Sequence, residues 1–160
     1  MRRSDPLLTE PELVAWGERI GRETAAPVVF ELRGHLGVGK SVLARAIARG
    51  AGVVGFLPSP TFNLLFRYRG TSADVVHMDL YRIHDPDELK ELAWDELGAE
   101  QEIILIEWPE RAGGLLPADR WEIELGVAEH EPDLRRVRVR RVGSPPPLPG
   151  PEAVARSEAR

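Results

Sequence analysis

Eight consecutive residues, Gly34-His35-Leu36-Gly37-Val38-Gly39-Lys40-Ser41, carry the densest chemical signal in the chain. Their spacing is G-x-x-x-x-G-K-S, that of a phosphate-binding loop. A polyphosphate needs hydrogen-bond donors at close range and no side chains in the way. Glycines let the backbone curl so that successive N–H groups point inward. A helix opening near Lys40 adds the positive end of its dipole. In this reading Leu36, Gly37, Val38, Gly39, Lys40 and Ser41 cradle the phosphates. Lys40 reaches the β- and γ-oxygens, and the Ser41 hydroxyl ligates Mg²⁺. Lysine usage points the same way. Of 21 basic residues only Lys40 and Lys90 are lysine, so a chain that otherwise writes arginine keeps a compact ammonium where a phosphate pocket requires one. The bland alternative is a chance match in a strand–turn–helix unit.

Phosphate binding becomes hydrolysis only with a carboxylate to hold metal and a group to place water. Two acids follow apolar runs. Glu107 ends Ile103-Ile104-Leu105-Ile106, and Asp79 ends Val75-Val76-His77-Met78. A buried strand delivers such an acid to the C-terminal edge of a sheet, where the metal would sit; the alternative is a surface acid at a strand end. Thr61 lies in a loop after the phosphate-loop helix, where nucleotide switches place a hydroxyl, or it is an ordinary turn threonine. Trp108 reads as core before it reads as a stacking group. His77 and His84 read as structural, since no second ligand stands at a helical spacing from either. Arg135, Arg136, Arg138, Arg140 and Arg141, interleaved with Val137 and Val139, read as a solvated strand face whose charge discourages edge pairing. A contact with RNA or an acidic protein is the alternative.

The elements that must position these groups are also legible. Thr9-Glu10-Pro11-Glu12 is a capping-box start, and Leu13, Trp16, Gly17 and Ile20 continue one stripe, which gives a helix over about 11–23. Val28 to Leu32 forms the strand before the phosphate loop, and Val42 to Arg49 the helix after it, closed by Gly50-Ala51-Gly52. Residues 62–68 and 74–79 read as an antiparallel hairpin. Asp85-Pro86-Asp87-Glu88 starts a second helix with Leu89, Leu92, Ala93 and Leu97 on its stripe. Residues 102–106 form a strand buried on both faces, and two late strands lie near 121–125 and 134–142.

Composition narrows the function classes. The chain has 160 residues, 42% of them hydrophobic and 29% charged, ordinary values for one globular domain. It has no cysteine, which excludes disulfides and thiolate metal sites. The net charge of −5 excludes a surface that is one broad nucleic-acid footprint. The start, Met1-Arg2-Arg3-Ser4-Asp5-Pro6, leads into no apolar signal segment, and no run approaches membrane-spanning length, so the expected location is cytoplasmic, with no membrane contact. From Gly143 the composition turns proline-rich. Residues 1–142 therefore read as the domain, and 143–160 as a flexible tail dispensable for activity.

Taken in order, Gly34 to Ser41, Ser59-Pro60-Thr61-Phe62, His77-Met78-Asp79-Leu80-Tyr81-Arg82 and Glu107-Trp108-Pro109 resemble the bacterial TsaE (YjeE) family over roughly residues 8–140. The resemblance implies a P-loop NTPase fold, a three-layer α/β/α arrangement with a mixed central sheet. It implies an ATPase of tRNA threonylcarbamoyladenosine biosynthesis, using ATP and Mg²⁺ and working on TsaB-like and TsaD-like proteins, with tRNA reached only through that complex. It implies that Ser41 and Glu107 hold Mg²⁺, that Thr61 belongs to a nucleotide-sensing switch, that Asp79 is needed for hydrolysis, and that Glu10 lies near the base. The chain departs from the family pattern at His35, where aspartate is usual, at Ser41-Val42, where a threonine pair is usual, and at Asn63, where threonine is common. Two rivals remain at this point, a small-molecule P-loop kinase and a nucleotide-gated interaction module without productive turnover. A GTPase is disfavoured, since neither lysine follows an asparagine as the guanine-reading Asn-Lys-x-Asp motif requires.

Overall fold

The fold grows from two strands almost wholly shielded from water. β2 (Val28–Arg33) and β5 (Glu102–Glu107) pair in parallel, and nearly every residue of both is buried. A computed structural model describes residues 5–55, 57, 64–92, 94–98 and 100–151. Among these, a seven-stranded sheet surrounds the pair. The remaining strands are β1 (Leu7–Leu8), β3 (Leu65–Tyr68), β4 (Asp74–Asp79), β6 (Arg120–Ala128) and β7 (Glu131–Val142). Their order is β1-β7-β6-β2-β5-β4-β3, with β6, β2, β5 and β4 parallel and the outer pairings antiparallel.

Strand periodicity decides what faces what. On β5, Ile103 and Leu105 join the core under the helices, while Ile104 and Ile106 join the opposite core. The first core packs against α1 (Glu10–Glu23) and α2 (Lys40–Gly50) through Leu13, Trp16, Ile20, Leu43 and Ile47. α1 begins as expected: Thr9 and Glu12 form a reciprocal capping box. The two helices approach closely because Gly21 has no side chain; a Cβ there would fall 1.9 Å from the Ile47 carbonyl oxygen.

The opposite layer differs from expectation. The segment from Pro86 is no α-helix; it forms 3-10 turns over Pro86–Leu92 and Trp94–Glu96. Leu89 and Leu92 are three apart, a spacing that suits three residues per turn as well as 3.6. Leu89, Trp94 and Ala112 close this second core, and the Trp94 indole donates to the Leu115 carbonyl at 2.8 Å.

The late strands are longer than predicted and form one hairpin. The arginines of β7 do not leave it a bare edge, since β1 pairs with it, Leu7 opposite Arg136. Nor are they simply solvated. Arg138 pairs with Asp5 at 3.0 Å, and Arg140 grips both oxygens of Glu122 at 2.7 Å. The sheet ends at Val142, the predicted boundary. Yet residues 143–151 run back across the core. Trp121 and Trp16 each donate an indole N–H, at 2.8 Å, to the carbonyls of Pro146 and Pro149, and Leu148 packs on the helix-side core. The reading of this segment as loose overlooked that the buried indole of Trp16 and the partly buried one of Trp121 need acceptors.

Candidate functional site

The loop between β2 and α2 is shaped by its backbone. Gly39 stands at the N-cap of α2 with φ 119°, a conformation closed to most L-residues, and having no side chain it can cap nothing. The first turn of α2 also lacks an acidic residue. No side chain caps α2 at this end, in contrast to the self-capped α1, and a helix N-terminus of this kind favours an anion. From β7, on the same face of the sheet, Arg135 donates Nε–H to the Val38 carbonyl at 2.7 Å and fastens the loop to that strand.

Strand register brings the acids to this loop. Asp79 and Glu107 are direct neighbours at the ends of the parallel pair β4 and β5. Val75 and Ile103 lie in the α2-side core, so the period of two puts His77, Asp79 and Glu107 on that face as well. Glu107 is 2% exposed, and its carboxylate accepts from Ser41 Oγ at 3.2 and 3.3 Å. His77 Nε2 lies 2.6 Å from Glu107 Oε2. Asp79 accepts from the Tyr81 amide at 2.9 Å. Burial is the main cause that raises its carboxyl above the usual range; the Tyr81 amide opposes this, and the Glu107 charge adds to it.

Lys40 is buried. It donates to the carbonyls of Gly34 and His35, and its ammonium lies 3.9 Å from the centre of the Trp108 ring. Burial lowers its pKa, against the pull of Glu107, Glu110 and Asp79. Trp108, read from sequence as core, is only partly so. It holds the left-handed conformation at φ 56°, the one non-glycine among the described residues to do so. This backbone turn lays the indole across Lys40 and against Tyr81, at 4.9 Å between ring centres.

Leu36, Gly37, Gly39, Lys40, Ser41, Asp79, Glu107 and Trp108 line one cleft of about 230 Å³. A second cleft, of about 330 Å³, adjoins it across Gly37, Gly39 and Val42, and it is bounded by Val38, Glu10, Pro132 and Asp133. Every predicted site residue thus borders one of two adjoining clefts, except Thr61, which lies outside the described residues together with Ser59, Pro60, Phe62 and Asn63. His84 is exposed and has no part in the cluster. Sequence reasoning missed Arg135 and the contact of His77 with Glu107. For the second, the spacing of His77 and Asp79 on one strand face was the available signal.

The oxygens at Ser41 and Glu107 suit a hard cation. Magnesium takes oxygen ligands in an octahedron at about 2.0–2.1 Å, which sets adjacent ligands roughly 2.9–3.0 Å apart. The 3.2 Å between Ser41 Oγ and Glu107 Oε1 is near that edge.

Comparison with known proteins identifies the family. A family model described as "Threonylcarbamoyl adenosine biosynthesis protein TsaE" matches residues 7–137. A protein of Haemophilus influenzae named tRNA threonylcarbamoyladenosine biosynthesis protein TsaE is 37% identical over 94 residues, 59% of this chain and 60% of that protein. The protein of that name from Bacillus subtilis is 33% identical over 116 residues, 72% of this chain and 71% of its own. The chain thus spans about three fifths of the Haemophilus relative. A crystal structure of Bacillus subtilis YdiB shares the fold, with a TM-score of 0.70 at 24% identity over 89% of this chain and 90% of that one. With a matching family model over residues 7–137, the chain belongs to the TsaE family of threonylcarbamoyl adenosine biosynthesis proteins.

Proposed function

We propose that the protein is a Mg²⁺-dependent ATPase that serves tRNA threonylcarbamoyladenosine formation in the cytoplasm through TsaB-like and TsaD-like partners. The observation that carries the reading is the convergence of Lys40, Ser41, Asp79 and Glu107 on one cleft at the mouth of the phosphate loop. The loop amides and Lys40 bind the triphosphate. For this the ammonium exchanges the carbonyls of Gly34 and His35 for phosphate oxygens, a stronger charge-assisted contact. Ser41 and Glu107 would hold magnesium, which when bound neutralises charge on the phosphate oxygens. Asp79 orients the attacking water, its carboxyl kept fixed by the Tyr81 amide. The base occupies the second cleft beside Glu10.

The test is ADP release by the full chain with ATP and Mg²⁺, alone and with TsaB-like and TsaD-like proteins. Slow turnover alone and faster turnover with both partners is expected. Phosphate transfer to an added metabolite would replace the ATPase reading with the kinase one. Absence of turnover under every condition, with nucleotide still bound, would leave an interaction module.

A further inference from the structure

We propose that His77 is a positioning residue for this site: its Nε2–H holds Oε2 of the Glu107 carboxylate and so fixes the rotation of the group beside Ser41. This rests on the nucleotide–magnesium reading above. A carboxylate that is 2% exposed has no bulk water to satisfy it, and unpaired it would be costly. Ser41 Oγ meets both of its oxygens almost evenly, at 3.2 and 3.3 Å, so the hydroxyl alone does not set the carboxylate's rotation. His77 does, with a single contact of 2.6 Å to Oε2. An ionised carboxylate only accepts, so the shared hydrogen belongs to Nε2. The imidazole cannot swing away. It is 3% exposed, stands on β4 opposite Leu105, one pleat below the Asp79–Glu107 pair, and is enclosed by sheet on both sides. Residues that orient a carboxylate ligand in this way typically govern metal affinity by 10- to 100-fold.

The test uses the full chain and binding of a fluorescent ADP analogue, first in EDTA and then titrated with Mg²⁺; turnover is not read. His77→Phe keeps the volume and removes the donor. His77→Gln keeps a donor at the reach of Nε2, and His77→Asn offers one too short to arrive. The expected result is a Mg²⁺ midpoint raised roughly tenfold or more in the Phe and Asn variants, close to wild type in the Gln variant, with affinity in EDTA unchanged throughout. If His77→Phe does not fold, the contrast between Gln and Asn decides. Equal midpoints in wild type, Phe and Asn overturn the inference, as does an equal loss in Gln and Asn or a fall in EDTA affinity that matches the fall with Mg²⁺. A wild-type protein indifferent to Mg²⁺ overturns the metal reading itself, and the inference with it, before any variant is compared.

Discussion

Asp79→Asn should make the protein more stable and less active. Asp79 and Glu107 are paired positions on adjacent parallel strands. Strands lie ~4.8 Å apart, which puts two carboxylates on one face about 5–6 Å from each other. At an effective dielectric of ~20 their repulsion is about 3 kcal/mol. Asp79 is only half-buried, and His77 and Lys40 pull against Glu107, so solvent and counter-charge leave a net cost nearer ~1 kcal/mol. Asparagine removes the charge and keeps the oxygen that accepts from the Tyr81 amide. In a domain of this size the gain amounts to roughly 2–4 °C in melting temperature. The pH dependence follows from the direction of the shift. Burial first, then Glu107, holds this carboxyl above the usual range. An acid raised on folding costs stability while it is ionised. The cost is complete above its folded-state pKa and disappears below the unfolded value. The advantage of the variant should therefore shrink as pH falls through the raised folded-state range toward the unfolded carboxylate value of about 3.9. Thermal melts in EDTA, followed by far-UV circular dichroism, measure it. A variant less stable than wild type at neutral pH, or a gap that ignores pH, would refute the argument. Hydrolysis should be lost in the same variant while nucleotide still binds.

Lys40→Ala should weaken ATP binding by about 1.5–3 kcal/mol, roughly 10- to 150-fold, since it deletes a charge-assisted contact; calorimetry giving unchanged affinity would count against the phosphate site. Gly21→Ala forces a methyl against the Ile47 carbonyl, 1.9 Å away. It should cost about 1–3 kcal/mol, and an unaltered melting curve would show that the helix pair relaxes freely. Deleting residues 143–160 strips the acceptors from Trp16 and Trp121. Stability should fall by about 1–3 kcal/mol and tryptophan emission should shift to the red, with nucleotide affinity unchanged; an affinity loss would tie this segment to the site.

What the sequence made legible was local. The phosphate loop, the capping box at Thr9 and the run Ile103 to Ile106 each declare themselves within a few residues, because backbone geometry and periodicity are local physics. The pairing of Asp79 with Glu107 was reachable by one further step, since both end apolar strands. What escaped was long-range. His77 meets Glu107 across a strand register that the His77–Asp79 spacing only hints at, and Arg135 reaches Val38 across 97 positions. The 3-10 layer was misread because Leu89 and Leu92 satisfy two helical periods at once, and the sheet rather than the stripe selects between them. The anchoring of residues 143–151 left no side-chain signal, as its acceptors are backbone carbonyls; only the unmatched indoles of Trp16 and Trp121 could have pointed to it.

These long-range contacts bear on why the cleft is chemically competent. Three acids, Asp79, Glu107 and Glu110, act on one buried ammonium, that of Lys40. Burial penalises the cation and Asp79 alike, a cost that charges held away from water carry. A phosphate alone would relieve Lys40 but crowd the carboxylates. A divalent cation alone would relieve the carboxylates but oppose Lys40. Only the two together balance both halves. On the proposed function, the placement of Asp79 and Glu107 on the α2 face, decided by the period of two along β4 and β5, would suit the phosphate loop to a metal–nucleotide pair rather than to an anion alone.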